Sequence, residues 1–382
     1  MEILTTNFFV LSLVGLWKPR GWSGIKAILY HFYSAIVIFA NISFLISGIM
    51  DLEFTNIDIA AFIDNISLLL SLVTIRQKTA CAIGNRGDIK EIIDSLGRSP
   101  FKPQDEEEVN IVKRFDDLTG YILKYYPVLF TVAITWYSMG HMFIMDPPYV
   151  LPYRGWFPYN YTTTSIYWLT AVYQLYAICS AASINLAFDP LLPCIICHMC
   201  AQVHILRYRF GVMLKKLEVI SDNEPRSVIA SAERKLMGEW VDYHISILNL
   251  IKYVNSTYSK VIFVQYTASS LILCTVAYVL SHMDALSMNF AGNFFYFIAM
   301  NFQIFFQCFC ANQVTLEFLD ITTALYDTNW FNLSNNVRRS MTIILCESFR
   351  PVLFTSSFFI VLSLESFTKV IKCAYTVYNV LQ

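Results

Sequence analysis

Long apolar stretches separated by polar segments are the feature that most constrains the fold of this chain. A helix needs about 20 apolar residues to cross the hydrocarbon core of a bilayer. Seven stretches approach or exceed that length, and they are residues 25–50, 57–75, 121–145, 165–197, 254–280, 290–316 and 351–380. Only 14% of the 382 residues are charged, against about 25% in ordinary globular proteins. The sequence therefore predicts an all-α polytopic membrane protein with seven transmembrane helices.

The distribution of Lys and Arg predicts how these helices are oriented. Cytoplasmic loops of membrane proteins are enriched in both residue types. Of the 27 basic residues, nine lie between the second and third spans and eight between the fourth and fifth. The loops after the first and fifth spans have none, and the loop after the third has only Arg154. We predict a cytoplasmic N-terminus and an extracellular C-terminus, which is the reverse of G-protein-coupled receptors.

The segment before the first span, residues 1–24, is apolar enough to be mistaken for a signal peptide. Glu2 precedes the apolar part, and neither a basic region nor a cleavage pattern of small residues is present. We therefore expect this segment to be retained in the cytoplasm or at the membrane interface. Phe8, Leu11 and Gly15 fit a short helix on the inner leaflet, and a disordered tail is the alternative.

The spacing of prolines predicts one helix much longer than a bilayer. No proline lies between Pro225 and Pro351, so helical periodicity can run from Ser227 to His282, about 56 residues or roughly 84 Å. The fifth helix should project into the cytosol, together with extensions of the fourth and sixth. Residues 337–349 are predicted to form a short separate helix, because the residue before a proline disfavours the helical conformation.

Two patterns in the second cytoplasmic loop predict local structure. Ile89, Ile92, Ile93 and Leu96 follow the spacing of one face of an amphipathic helix. The acidic run from Asp105 to Glu108 is typical of a solvated helix face.

The last stretch, residues 351–382, is predicted to be one continuous membrane-spanning helix. It contains Glu365 and Lys369, which a helix places on the same face one turn apart. Ionisable groups at membrane depth face protein or water. The pair is therefore either a structural contact between helices or part of a hydrated path.

Residues that could carry chemistry do not form a recognisable catalytic or metal site. The cysteines and histidine from Cys194 to Cys200 have spacings found in metal sites, but they lie on a helix and no second ligand pair follows. Asp64 and Asp189 are isolated acids within spans. Either could hold a cation, although a single carboxylate without evident partners more often bonds a hydroxyl or a neighbouring helix. We find no phosphate-binding loop or nucleophile motif, and the net charge of −1 gives no basic surplus. We therefore expect no enzyme activity, no cofactor and no nucleic-acid partner.

Asn160 occupies a glycosylation pattern in a predicted outer loop.

Aromatic side chains cluster near the predicted outer ends of four spans and suggest a ligand site. Small-ligand pockets are mainly apolar and aromatic, and this set has no formal charge. A neutral, mainly apolar ligand would suit it, although aromatic residues at helical spacing also serve simply to pack helices. The candidate ligand-binding residues are Phe62, Ile66, Trp136, Tyr137, Gly140, Val172, Tyr173, Tyr176, Phe295, Tyr296 and Met300.

Sequence motifs resemble those of the insect odorant receptor family. The C-terminal signature of that family is matched by Ser363, Leu364, Phe367, Lys372, Tyr375 and Tyr378. The segments Leu151 to Thr162, His198 to Arg209 and Leu325 to Leu333 resemble its second outer loop, its fourth helix and its short linker. The resemblance covers nearly the whole chain.

This resemblance implies a subunit of an odorant-gated, non-selective cation channel in the plasma membrane of sensory dendrites. Members form tetramers with a shared coreceptor (Orco), and the last helix of each subunit lines the pore. The chain lacks the long insertion that the coreceptor carries between its fourth and fifth spans, which implies a ligand-tuning subunit. By resemblance, Val380 matches an outer hydrophobic gate, Thr376 the next position inward, and Asn379 lies in the same final turn. A gustatory-type receptor and a secondary transporter remain the alternatives.

These expectations divide the chain into four parts. The parts are residues 1–24, the N-terminal segment; 25–198, four spans with an outer ligand-binding half; 199–350, the cytosolic extensions, two spans and the short helix, which anchor subunits; and 351–382, the pore-lining helix.

Overall fold

A computed structural model gives the architecture of the chain. It describes residues 5–19, 21–54, 59–143, 151–223, 225–283, 287–327, 334–348, 352–356 and 360–381. The elements are α1 (Thr5–Leu13), α2 (Ile25–Phe54), α3 (Ile59–Gly84), α4 (Arg86–Leu96), α5 (Glu106–Phe143), α6 (Thr164–Phe188), α7 (Leu191–Asn223), α8 (Arg226–Ser281), α9 (Met288–Tyr326), α10 (Asn335–Ser348), β1 (Thr355–Ser356), β2 (Ile360–Val361) and α11 (Leu364–Leu381).

The long helices agree with a multi-pass membrane protein. Within the described residues, five helical segments are long and apolar enough to cross a membrane, and they lie in α2, α3, α6 with α7, α8 and α9. The third and seventh predicted spans fall on α5 and α11, which are helical but are not in that set. α11 has three charged residues, Glu365, Lys369 and Lys372, within its 18 residues.

α8 is the longest helix of the fold, and its extent confirms the prediction from proline spacing. It contains 56 residues, so it extends about 84 Å. It packs against α7 near Trp240 and Tyr243, and against the short helix α4 near its midpoint at Tyr253. α4 buries Ile89 and Ile92, which confirms the amphipathic pattern predicted in the second loop. The bounds of α10 agree with those of the predicted short helix to within two residues.

The acidic run at the start of α5 is exposed at Asp105, Glu106 and Glu107, as predicted, but Glu108 is buried, contrary to the prediction. Only 2% of Glu108 is exposed. Its carboxylate accepts two hydrogen bonds from Arg209 on α7, at 2.7 Å from Nε and 2.8 Å from Nη2. The Arg209 guanidinium also lies 4.2 Å from the ring centre of Tyr243 on α8. The two hydrogen bonds from Arg209 compensate for the burial of this carboxylate. Through the Glu108–Arg209 pair and the Tyr243 ring, α5, α7 and α8 are joined.

The predicted fourth span is broken into two helices. α6 ends at Phe188, a turn covers Asp189 and Pro190, and α7 begins at Leu191. Pro190 has no N–H to donate to the preceding turn, and its ring crowds the backbone before it. The break therefore follows from a proline that the hydropathy pattern alone does not register.

The last helix begins at Leu364 rather than at Pro351, which corrects the prediction of one continuous helix. The antiparallel strands β1 and β2 precede it, and the Thr355 N–H donates to Asn255 Oδ1 on α8 at 3.1 Å. Ser363 then accepts a hydrogen bond from the Ser366 N–H at 3.1 Å. A serine in this role is a typical helix N-cap, so the helix starts immediately after it.

The N-terminal segment forms a helix rather than a disordered tail over the described residues. α1 packs on α6, and Leu11 is fully buried. Tyr30 and Tyr33 on α2 donate hydrogen bonds to the backbone carbonyls of Ser12 and Leu13, at 3.0 and 2.6 Å. The end of α1 is thus fixed to the start of α2.

A buried ion pair joins four of the long helices. Lys78 Nζ on α3 lies 2.5 Å from Asp189 Oδ1, and the two side chains are 1% and 2% exposed. Lys78 also donates to Asn185 Oδ1 on α6 at 2.7 Å. Tyr126 on α5 donates to Asp189 Oδ2 at 2.9 Å, and Gln303 Nε2 on α9 donates to the same oxygen. Asp189 was expected to bond a hydroxyl or a neighbouring helix. It does both, and it is the centre of a polar network.

We expect Lys78→Met to destabilise the protein by about 3–5 kcal/mol, because it leaves the Asp189 carboxylate buried without its counter-charge. The loss should appear as a lower unfolding temperature of the detergent-solubilised protein and as reduced surface labelling. In the exposed pair, the Glu365 side chain is 77% and the Lys369 side chain 71% exposed, so Glu365→Gln should leave the unfolding temperature close to that of the parent. Equal unfolding temperatures for the two variants would contradict a structural role for the buried pair.

Candidate ligand-binding site

The space that best suits a small ligand lies between α3, α5, α6 and α9. It encloses about 90 Å³, several times what one water molecule needs. Its lining consists of Leu68, Ser71, Leu72, Thr74, Ile75, Phe130, Ala133, Ile134, Tyr137, Ser138, Ile178, Ala181, Ala182, Asn185, Tyr296, Ala299, Met300 and Gln303. No lining side chain carries a formal charge, so the walls favour a neutral, mainly apolar molecule.

Small side chains create this space. Ala133 on α5, Ala181 on α6 and Ala299 on α9 are each no more than 2% exposed, and all three line the cavity. Larger residues at these positions would fill the space between the helices. Aromatic clustering in the sequence does not indicate these alanines. The pattern that would indicate them is a set of small residues facing each other across neighbouring helices.

A close approach of α5 and α9 brings two predicted aromatic residues together. A Cβ atom on Gly292 would lie 3.0 Å from the Trp136 carbonyl oxygen and 3.1 Å from the Tyr137 Cα, so a side chain there would force the helices apart. One turn further along α9, the Tyr296 ring lies 5.2 Å from the Tyr137 ring between centroids. Gly292 thus allows the two tyrosines to form one wall.

Hydrogen bonds fix the polar groups at the cavity wall. The hydroxyls of Ser71 and Tyr296 lie 2.6 Å apart and link α3 to α9. Tyr153, in the segment before α6, donates its hydroxyl to Ser138 Oγ at 3.0 Å. The Tyr153 backbone is held in turn by the Gln174 amide, whose Nε2 donates to the Tyr153 carbonyl at 2.8 Å. This segment is therefore tied to Ser138, a residue that lines the cavity.

The structure brings together only some of the residues predicted from sequence. Tyr137, Tyr296 and Met300 line the cavity. The rings of Trp136 and Phe295 contact each other beside it, with their planes tilted by 35° and their centroids 5.8 Å apart. Phe62 and Ile66 lie earlier on α3 and are not among the lining residues. Gly140 lies on α5, and its surroundings fall outside the described residues.

The three predicted residues on α6 face away from this cavity. The Tyr173 hydroxyl lies 2.5 Å from Ser43 Oγ on α2, while Val172 and Tyr176 are 59% and 41% exposed. α6 instead contributes Ile178 and Asn185 together with its alanines. The Tyr173 side chain of α6 packs on α2, and the Val172 and Tyr176 side chains lie on the outer surface of α6.

α11 presents a polar face that the rest of this chain leaves uncovered. The exposed residues at helical spacing are Glu365, Thr368, Lys372, Thr376 and Asn379. The opposite face buries Val370 and Ala374. Thr376 and Asn379 of the predicted pore set lie on the polar face, and the side chain of Val380 is outside the described residues.

The cysteines from Cys194 to Cys200 pack inside the helical bundle. Cys197 Sγ lies 3.7 Å from Cys310 Sγ on α9, and Cys194 and Cys200 are buried. Over the part of the chain that the structure describes, no three His, Cys, Asp or Glu residues are grouped as metal ligands.

Comparisons with known proteins place the chain in a family. A model of the family described as "7tm Odorant receptor" matches residues 58–375. Odorant receptor 2a of Drosophila melanogaster is 23% identical over 381 residues, which cover 97% of this chain and 94% of that protein. Odorant receptor Or1 of Anopheles gambiae is 23% identical over 400 residues, covering 97% and 93%.

Solved structures share the fold. The insect olfactory receptor OR5 from Machilis hrabei in complex with eugenol aligns with a TM-score of 0.85 at 16% identity, covering 100% of this chain and 97% of that one. The structure of the same receptor described without eugenol aligns with a TM-score of 0.84. These matches confirm the resemblance inferred from the C-terminal motif. Of the receptor and transporter classes that the sequence left open, they identify one. The chain belongs to the insect odorant receptor family, a family of non-enzymatic, ligand-gated channels.

Proposed function

We propose that this odorant receptor binds its ligand in the cavity between α3, α5, α6 and α9. The observation that carries the proposal is an uncharged space lined by residues of four long helices, with Tyr137 and Tyr296 forming one wall. The ligand is a small, neutral and mainly apolar volatile. The structural neighbour from Machilis hrabei is described in complex with eugenol, a molecule of this class, and that supports the assignment.

The size of the space favours a ligand that enters by parting the helices slightly. About 90 Å³ is less than most drug-sized ligands occupy, since typical pockets measure about 300–1,000 Å³. A ligand that widens the space would shift the helices that carry its walls. Because α9 also packs against α11, such a shift is a direct route from the ligand to the last helix.

We expect Tyr137→Ala to raise the half-maximal odorant concentration about tenfold, because it removes an aromatic wall worth about 1–3 kcal/mol of burial. Tyr176→Ala is the matched control, since Tyr176 was an equal candidate from sequence but is 41% exposed on α6. It should leave the half-maximal concentration within about twofold of the parent. The measurement is the dose–response curve of odorant-evoked current, with surface expression determined in parallel.

A complementary variant fills the space instead of enlarging it. Ala181→Leu should abolish or strongly weaken the odorant response while the protein still reaches the surface. If Ala181→Leu and Tyr137→Ala both reach the surface and respond like the parent, the ligand binds elsewhere.

We further propose that α11 lines the conduction path and that its C-terminal end faces the cell exterior. A polar helix face in a membrane must contact water or another polar surface, and residues from Glu365 to Asn379 form such a face. A ring of these faces from several subunits would enclose a hydrated pore. The count of basic residues supports the orientation, and Val380 next to Asn379 would add an apolar constriction near the outer mouth.

Cysteine accessibility tests the pore and the orientation together. In a background in which the exposed Cys179, Cys346 and Cys373 are replaced by serine, Thr376→Cys should react with a charged, membrane-impermeant thiol reagent applied outside the cell. Modification should change the odorant-evoked current, because the added charge would lie in the ion path. Glu365→Cys lies about three turns nearer the predicted inner end and should react with the reagent more slowly than Thr376→Cys. Equal reaction rates for the two variants would contradict this arrangement. So would a current that is unchanged after modification at Thr376→Cys.

We propose that the channel is a tetramer formed with the odorant coreceptor in the plasma membrane of sensory dendrites. This assembly rests on the family resemblance, and the region 199–350 would supply the contacts between subunits. In it, α10 is tied to α8 because Glu233 accepts hydrogen bonds from both the Ser334 hydroxyl and the Ser334 N–H. The exposed Asn160 would be a glycosylation site on the outer surface.

A further inference from the structure

Gln303 belongs both to the cavity wall and to the buried ion-pair network. It lines the cavity from α9 and is 2% exposed. Its Nε2 donates a hydrogen bond to Asp189 Oδ2. Together with Asn185, it is therefore a point at which an occupant of the cavity can touch the network that joins α3, α5, α6 and α9.

The carboxylate of Asp189 dictates the orientation of the Gln303 amide. An ionised carboxylate only accepts hydrogen bonds, so the amide must turn its NH₂ group toward Asp189. Tyr126 and Lys78 occupy the remaining positions around the carboxylate. The amide oxygen, Oε1, consequently points away from the carboxylate.

This oxygen lacks a partner inside the protein. Oε1 of Gln303 is buried and has no hydrogen-bond partner among the described residues. The great majority of buried polar atoms in folded proteins are paired. In contrast, the Ser71 and Tyr296 hydroxyls of the same cavity already bond each other. Gln303 Oε1 is thus a lining acceptor left available for a donor from the ligand.

We infer that Gln303 selects odorants that carry a hydrogen-bond donor, such as alcohols and phenols, over ethers and hydrocarbons of the same shape. The ligand hydroxyl donates to Oε1 while its apolar body lies against Tyr137, Met300 and the alanines. This inference rests on the proposed function, since it takes the cavity as the odorant site. It also makes the network sensitive to the ligand, because the hydrogen bond to Oε1 polarises the amide that donates to Asp189.

Matched pairs of odorants test this selection directly. Hexanol, 2-phenylethanol and eugenol are each compared with their own methyl ethers on the receptor co-expressed with the coreceptor. The parent channel should respond to the alcohol or phenol of an active pair at a concentration about threefold to tenfold lower than to its ether, the usual net value of one hydrogen bond. Gln303→Met should remove this difference by weakening the response to the alcohol alone.

Tyr126→Phe is the control for damage to the network. It removes a hydrogen bond to the same Asp189 oxygen, but Tyr126 does not line the cavity. It should therefore keep the alcohol-to-ether preference even if it lowers expression. The ratio of half-maximal concentrations within one variant is independent of the number of channels at the surface.

Three results would overturn the inference. One is a functional parent channel that answers none of the alcohols or phenols, or that prefers the ethers. Another is a Gln303→Met channel that keeps the parent ratio while Tyr137→Ala weakens both members of a pair; the cavity would then be correct and the hydrogen bond wrong. The third is a set of responses unchanged in Gln303→Met, Tyr137→Ala and Ala181→Leu alike, which would refute the cavity itself.

Discussion

The ion pair between Lys78 and Asp189 is the interaction on which the arrangement of the transmembrane helices depends. Burying two charges costs several kcal/mol for each ion, and attraction within the pair offsets that cost only when the geometry is good and the remaining polar positions are filled. Here Asn185, Tyr126 and Gln303 fill them. Because these groups come from α3, α5, α6 and α9, the pair is satisfied only when those four helices are in place. The same four helices line the cavity, so the requirements of the charge pair also define the space in which we propose the odorant binds.

The turn at Asp189 and Pro190 connects this pair to the rest of the receptor. Pro190 ends α6, and Asp189 can turn its carboxylate toward Lys78 at the break between α6 and α7. α7 then continues into the region that we propose is cytosolic, where Arg209 pairs with Glu108. Continuous helices therefore connect the cavity to the part of the chain that we propose holds subunits together.

Sequence patterns predicted those parts of the structure that depend on one helix at a time. The length of α8 followed from the spacing of prolines, and the buried face of α4 followed from the spacing of its isoleucines. The failures involve contacts between helices. Glu108 was assigned to solvent because its partner Arg209 lies 101 residues away in sequence. The packing of Tyr173 on α2 was not predicted either, because periodicity does not state which face of a helix meets which neighbour. The strands before α11 depend on Asn255 of α8, which no local pattern of residues 351–363 encodes.

The most direct measurement of the central claim is a cryo-electron microscopy structure of the receptor assembled with its coreceptor and an activating odorant. We predict density for the odorant between α3, α5, α6 and α9, in contact with Tyr137 and Tyr296 and bordered by Ala181. Density for the odorant at another position, such as the surface between α2 and α6 near Tyr173, with the cavity unoccupied, would contradict the claim.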